Sequence, residues 1–305
     1  MEVESPDREP LHSHAGSDAF RAEAGSLYVV ATPLGNLRDV TLRALDILAS
    51  ADAIAAEDTR VTATLLRRYD ISTSVLTLHR HNEMRRAETV VAMLAAGKSV
   101  ALVSDAGTPG ISDPGARLAR AVRDAGFPVV PIPGASAVAA ALSVAGLEAE
   151  AFLFVGFLPS RAKARRDCLH ALVSSPAALV FYEAPHRVHS TVSDLLTILG
   201  PDRTLVVARE LTKIFETITR LPLGSAPAWL AADANRERGE FVLIVDAAGE
   251  KTREMEDTLS ADAERWLCAL LTELPPSRAA RVVSTVTNVP RHAVYARALA
   301  LKPEP

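Results

Sequence analysis

Cysteine is scarce in this chain of 305 residues, and its two thiols, Cys168 and Cys268, stand far apart in unlike contexts. That spacing supports neither a disulfide framework nor a metal cluster, and it fits a reducing, cytoplasmic location. No Walker-type Gly-Lys-Ser/Thr loop is present and no Gly-x-Gly-x-x-Gly follows a strand, so two common phosphate-cradling signatures are missing. Positive charge is not in excess either. A formal net charge of −4 argues against coating nucleic acid through bulk charge, although it leaves room for a local basic patch. The one uncharged stretch of membrane-spanning length, Ala125 to Leu147, contains Pro128, Pro131, Pro133 and Gly134. It therefore reads as strand, turn and buried helix. The acidic start, with Glu2, Glu4, Pro6, Asp7, Glu9 and Pro10, lacks the basic head and apolar centre of a secretion signal, and residues 1–25 read as a disordered leader.

The chain does hold enough apolar residues, 49%, for a substantial core and roughly two domains. From Leu27 short apolar runs alternate with amphipathic segments, the pattern of parallel-sheet α/β units. Strands are expected at Leu27–Ala31, Ala53–Ala56, Val75–Leu78, Ser99–Val103 and Val129–Ile132, making an N-terminal α/β domain over 26–147. A second α/β domain over 148–247 carries strands at Ala151–Phe157, Ala178–Tyr182, Thr204–Ala208, Phe215–Arg220 and Glu240–Val245. Two of these follow each other without a helix, which predicts a mixed sheet, and a ligand cleft is expected between the two domains. Residues 248–258 read as a linker. Over 259–302 three short helices with a turn at Thr287-Asn-Val-Pro290 form a helix-turn-helix pattern, whose Arg278, Arg281, Arg291 and Arg297 leave nucleic-acid contact open. Two further basic runs, Arg80, His81, Arg85, Arg86 and Arg161, Lys163, Arg165, Arg166, read singly as solvated faces.

The most informative segment is Ser104 to Gly115, Ser-Asp-Ala-Gly-Thr-Pro-Gly-Ile-Ser-Asp-Pro-Gly, after the apolar run Val100–Val103. Its Gly and Pro content excludes helix or strand interior, so a buried strand ends here in a shaped loop. In open α/β sheets ligands bind at the carboxyl ends of strands, which makes the loop a ligand-site candidate. The alternative is a plain strand-to-helix connection with Asp113 as N-cap and Pro114 at the first helical position. Thr32–Asn36, Ala56–Arg60 and Pro133–Ser136 also fall at strand ends of the first domain, and Tyr182–Arg187, Arg209–Lys213 and Arg238–Glu240 at strand ends of the second.

Six of these segments, Thr32-Pro-Leu-Gly-Asn-Leu37, Ala56-Glu-Asp-Thr-Arg60, Ser104–Gly115, Gly156-Phe-Leu-Pro159, Tyr182-Glu-Ala-Pro-His-Arg187 and Arg209-Glu-Leu-Thr-Lys213, resemble the ribosomal RNA small subunit methyltransferase I family. This is a branch of the tetrapyrrole methylase superfamily, whose members bind S-adenosylmethionine between two α/β domains. The resemblance runs in order from Leu27 to about Val245, and the tail resembles that family's helix-turn-helix appendage. It implies methyl transfer from S-adenosylmethionine to the ribose 2′-hydroxyl of a cytidine in the decoding region of small-subunit (16S) rRNA, by a cytoplasmic homodimer. It maps the cofactor site onto Pro33, Asp105, Gly107, Thr108, Ile111 and Ser136, closed from the second domain by Phe181, Tyr182, Glu183, Ala208 and Gly239. Asp105 has a loop-bracing alternative.

For the acceptor pocket the charged strand ends offer Glu57, Asp58 and Arg60 from one domain and Glu183, His186, Arg187, Glu210 and Lys213 from the other. Arg60, Arg187 and Lys213 would pair phosphate or brace carboxylates, and Glu57 or Glu210 is the candidate base. A structural ion-pair network uses the same residue types. No metal-ligand spacing is visible, so no metal is expected. Two other readings stay open: a small-molecule tetrapyrrole methyltransferase, and a non-catalytic nucleotide-sensing protein that holds nucleic acid through its tail.

Overall fold

The computed structural model describes residues 20–79, 82–247, 259, 261–287, 289 and 291–301. Most of the expected leader, the whole 248–258 linker, and Arg80 and His81 lie outside them. Residues 20–25 of that leader are described, and they are tied to the fold: Phe20 N donates to Asp46 Oδ2 at 3.1 Å and Gly25 N to Lys98 O at 3.0 Å.

The first unit alternates β1 (Leu27–Val30), α1 (Leu42–Ser50), β2 (Ala53–Ala56), α2 (Thr59–Arg68), β3 (Val75–Thr77), α3 (Glu83–Ala95), β4 (Val100–Val103), α4 (Ala116–Asp124), β5 (Val129–Ile132) and α5 (Ala137–Ala145). Its sheet has the order β3-β2-β4-β1-β5 with every pairing parallel. The inner strands are apolar throughout because both faces are covered. Tyr28, Val30, Ile54, Ala101 and Val103 pack on Ile47, Leu48, Leu65 and Leu66. Leu27, Ala55, Val100 and Leu102 pack on the opposite side against Val90, Leu94, Leu118 and Val122. Pro131 lies in β5, an edge strand, where a missing donor is tolerated.

The second unit contains β6 (Phe152–Phe157), α6 (Ala162–His170), β7 (Ala178–Glu183), α7 (Val188–Leu199), β8 (Thr204–Arg209), β9 (Thr217–Pro222), α8 (Ala226–Ala231) and β10 (Phe241–Val245). The order is β6-β7-β10-β8-β9; β6 and β7 are parallel and the other pairs antiparallel, the mixed sheet that the helix-free link predicts. One face buries Leu179, Phe181, Val207 and Leu243 against α7 and α8. The other buries Val180, Val206, Ala208, Val242 and Ile244 against Val138, Ala141 and Ala145 of α5. The alanine-rich α5 belongs to the first unit but covers the second sheet, so it holds the two units together. Its small side chains allow that close approach.

The tail forms α9 (Ala261–Leu271), α10 (Pro276–Thr287) and α11 (Arg291–Ala300) around Leu259, Leu267, Val283 and Val294. Arg297 Nε donates to Glu264 Oε1 at 2.8 Å, so this arginine braces α11 on α9. Arg165 is buried and donates to Asp194 Oδ2 at 2.7 Å, which corrects the expectation of a solvated face there. Among the described residues no helix is long and apolar enough to cross a membrane, both cysteines are free, and no group of metal-ligating side chains occurs.

Candidate active site

β1 and β4 are adjacent, so the loops that follow them meet. Thr32 N donates to Gly107 O at 2.8 Å and Gly107 N to Thr32 O at 2.9 Å, an antiparallel bridge between the two motif loops. Thr108 Oγ1 then donates to Ala135 O at 3.2 Å, fastening the Ser104–Gly115 loop to the turn before α5. The alternative reading, with Asp113 as the N-cap of α4, is not what forms. Gly115 is the N-cap, at φ +130°, and the buried carboxylate of Glu83 accepts from Gly115, Arg117 and Leu118 N–H groups at 3.0, 3.0 and 3.2 Å. A side chain from α3 therefore satisfies the orphan donors of α4. Asp113 instead lines a cavity.

This cavity, about 400 Å³, opens between the two units at the carboxyl ends of β1, β2 and β4, within the range of small-molecule sites. From the first unit it is lined by Leu34, Glu57, Asp105 to Thr108, Ile111, Asp113, Ser136 and Ala137. From the second come Phe157, Tyr182 to Pro185, Ala208, Leu211, Lys213 and Glu240 to Val242. Tyr182 meets Phe154 and Phe157 edge to face at 5.0 and 5.7 Å. Burial first, and then the Asp113 carboxylate, pushes its phenol up.

Of the residues mapped to the cofactor, Asp105, Gly107, Thr108, Ile111, Ser136, Tyr182, Glu183 and Ala208 line this cavity. Three lie elsewhere. Phe181 alternates with Tyr182 along β7 and is fully buried on the far face of the sheet. Pro33 lines a neighbouring cavity of about 280 Å³, reached past Leu34 and Asp105. Gly239, at φ +91°, lies under Glu210, where a Cβ would come within 2.4 Å of Glu210 Cδ. Asp105 also has the bracing role, since its Oδ1 accepts from Asp58 N at 2.9 Å.

The charged candidates separate into two kinds. Asp58 is the N-cap of α2; the Arg60 guanidinium, bonded to it at 2.6 Å, and then the Arg60 N–H hold its carboxyl down at about 2. Both residues stand outside the cavity lining. Glu183 lines it, yet its buried carboxylate accepts from Thr191 Oγ1 at 2.6 Å and Ala184 N at 2.8 Å, with Arg187 Nε at 3.1 Å. Arg187 in turn donates to Leu158 O at 2.5 Å, so this pair acts as a brace, and His186 is exposed outside the lining.

Glu57 and Lys213 remain at the cavity itself. Lys213 Nζ donates to Glu210 Oε1 and to Glu240 Oε2, each at 2.8 Å, and Glu240 N donates to Glu210 Oε1 at 2.9 Å. Burial alone would raise the Glu210 carboxyl, but the bonds from Lys213 and Glu240 N–H outweigh it and hold it below its ordinary value. Burial would lower the Lys213 amine, but its two carboxylate partners raise it instead, so it is a cation at neutral pH. The Arg238–Glu240 cluster is visible in the sequence, but nothing there marks Glu240, Leu34, Asp113, Phe157, Leu211 or Val242 as cavity-lining residues. Leu34 sits inside a quoted motif, and Phe157 closes a strand with an exposed aromatic.

The chain matches the family model described as Tetrapyrrole (Corrin/Porphyrin) Methylases over residues 26–227 and that described as RsmI C-terminal HTH domain over residues 257–302. It is 48% identical over 275 residues to ribosomal RNA small subunit methyltransferase I of Escherichia coli, covering 90% of this chain and 95% of that protein. The like-named protein of Pseudomonas aeruginosa is 46% identical over 276 residues, covering 90% and 97%. Among solved structures it resembles the methyltransferase CobJ, with a TM-score of 0.58 at 22% identity over 74% of this chain and 95% of that one. The cobalt precorrin-4 methyltransferase CbiF gives a TM-score of 0.57 at 17% identity, covering 73% and 95%, and shares the fold. With both the methylase model and the tail model matched, and close relatives aligned along nearly their full length, the chain belongs to the ribosomal RNA small subunit methyltransferase I family.

Proposed function

We propose that this protein is an S-adenosylmethionine-dependent 16S rRNA methyltransferase that modifies the ribose 2′-hydroxyl of a cytidine in the decoding region. The observation that carries the reading is the charge of the cavity between the two units. Glu57, Asp105, Asp113 and Glu240 line it with Lys213 as the single cation among its described lining residues, within apolar walls of Leu34, Ile111, Phe157, Leu211 and Val242. That donor set fits S-adenosylmethionine, which carries sulfonium and ammonium charges, and repels a pyrophosphate-bearing cofactor. Backbone groups of Asp105 to Thr108 and the Tyr182 ring would hold it. When bound, S-adenosylmethionine supplies an electrophilic methyl group for in-line displacement.

The chain's own contribution is mainly orientation. Well-oriented reactants gain effective molarities of about 10⁵ to 10⁸ M, whereas a general base adds roughly 10²- to 10⁴-fold. Glu57 lines the cavity and is the better candidate to accept the ribose proton. Glu210 is engaged by Lys213 and Glu240 N–H and held ionised by them, so its role is to position Lys213. Lys213, kept protonated, orients the acceptor by donating and cannot itself act as a base at neutral pH.

The reading includes a cytoplasmic homodimer. Phe152 and Leu153, exposed on the edge strand β6, support an association surface there. Two tails and two sets of surface arginines would then grip one RNA despite the acidic net charge. Incubation with labelled S-adenosylmethionine and small ribosomal subunits from an unmodified strain tests the function. Label on RNA is expected; label on a tetrapyrrole and none on RNA would overturn it.

A further inference from the structure

Between β8 and β9 the chain makes a short excursion that carries Lys213 to the cavity and then exposes two large apolar side chains. Ile214 is 94% exposed and its neighbour Phe215 71%. Scattered exposed apolar residues need no explanation. This pair differs because its surroundings hold it out. Buried Arg209 donates through Nη2 to Phe215 O at 3.1 Å and through Nη1 to Arg238 O at 3.0 Å. The Glu216 carboxylate accepts from Thr212 N at 2.6 Å, and Thr212 Oγ1 accepts from Asn36 N of the first unit at 3.1 Å. Glu210 and Thr212 adopt φ of +52° and +68°, a strained backbone for such residues. Strain of this kind persists where surrounding contacts over-determine it. The tip is thus preorganised, and little ordering entropy opposes its use in binding.

Its location indicates the partner. Consecutive Cα atoms are about 3.8 Å apart, so the Cα of Phe215 lies within about 7.6 Å of that of Lys213. Bases along a stacked strand repeat about every 3.4 Å. A nucleotide whose ribose reaches Lys213 would leave its neighbours, one or two steps along, within side-chain reach of Ile214 and Phe215. We propose that these two side chains form an RNA-stacking wedge, which occupies the space beside the target nucleotide and keeps it turned towards the cavity. This rests on the RNA-methylating reading above. Aromatic faces stack on bases tolerantly of sequence, and apolar wedges inserted between base steps are a recurring device. A second copy of the chain is the competing occupant. RNA is favoured because the tip continues directly from a residue lining the cavity, at the opposite sheet edge from exposed Phe152 and Leu153.

The test uses the full chain with small ribosomal subunits from an unmodified strain, comparing wild type, Phe215→Ala, Phe215→Trp and Ile214→Ser. Phe215→Ala should raise KM for subunits at least about fivefold, the lower end of what stacking on one base contributes. Its affinity for S-adenosylmethionine and its sedimentation should stay at wild-type values. Phe215→Trp should restore KM and show an added emission component that a cytidine-centred RNA oligonucleotide quenches. Ile214→Ser should shift KM in the same direction. If wild type methylates subunits and Phe215→Ala keeps its KM within twofold, the wedge is refuted alone. A changed sedimentation of Phe215→Ala also refutes it, in favour of a second copy. Wild-type inactivity on subunits would overturn the proposed function and the wedge with it.

Discussion

Gly35→Ala separates the positioning of Lys213 from the stability of the fold. A Cβ at position 35 would stand 2.3 Å from Lys213 Cγ and 3.1 Å from its Cδ, so the lysine stem must leave its present course. The backbone at Gly35 is not among the positive-φ glycines, so alanine itself is tolerated there. Displacement would break the two 2.8 Å bonds from Lys213 to Glu210 and Glu240. Charge-assisted bonds contribute about 1.5–3 kcal/mol each when buried. Here, however, the Lys213 side chain is 29% exposed and that of Glu240 75%, so solvent screening brings the combined loss to about 1 kcal/mol. Restricting the unfolded chain by replacing glycine offsets about 0.4–1 kcal/mol of that. The melting temperature should therefore move by no more than a few degrees, roughly 2–4 °C per kcal/mol for a protein of this class. Activity should respond far more, because misplacing an orienting group by about 1 Å costs on the order of 10²-fold. Thermal unfolding and kcat/KM on small subunits, measured on one preparation, check both halves. Wild-type kcat/KM in Gly35→Ala would refute an orienting role for Lys213, and a melting temperature lowered by tens of degrees would refute the stability reasoning.

Glu57→Gln should lower kcat by about 10²- to 10⁴-fold; Glu210→Gln should lower it less, and equal large losses in both would undo the division of roles. Glu83→Ala strips the acceptor from three N–H groups at the start of α4 and should cost about 2–4 kcal/mol, read by denaturant titration; a cost under 0.5 kcal/mol would show that water replaces it. Glu210, depressed below its ordinary 4.5, contributes fully above that value and loses its contribution as pH falls through the lowered one. Lys213, raised above 10.5, contributes fully below that value and loses its contribution as pH rises through the raised one. The melting-temperature difference between wild type and Lys213→Met should accordingly stay flat between about pH 5 and 10; a step near neutrality would contradict it.

Fold class was legible because each inner strand of the first sheet is an uninterrupted apolar run, as Val100–Val103 shows, and the link from β8 to β9 has no helix. What the sequence hides is contact across distance. Asp113 looks like a cap from its position before Pro114, but the capping carboxylate comes from Glu83, some thirty residues earlier on α3. Phe181 and Tyr182 fall in one motif, yet strand alternation sends the first to the core and the second to the cavity. Arg60, Arg187 and Lys213 look alike as cations at strand ends. Their local partners decide their roles: Arg60 is spent on Asp58, Arg187 braces Glu183, and only Lys213 reaches the cavity.

The most direct measurement is nucleoside mass spectrometry of small-subunit RNA, taken from an unmodified strain, after incubation with this protein and S-adenosylmethionine. A single new 2′-O-methylcytidine from the decoding region is expected, lost in Glu57→Gln and Lys213→Ala. A methyl group on a base, or RNA left unmodified by the wild-type chain, would contradict it.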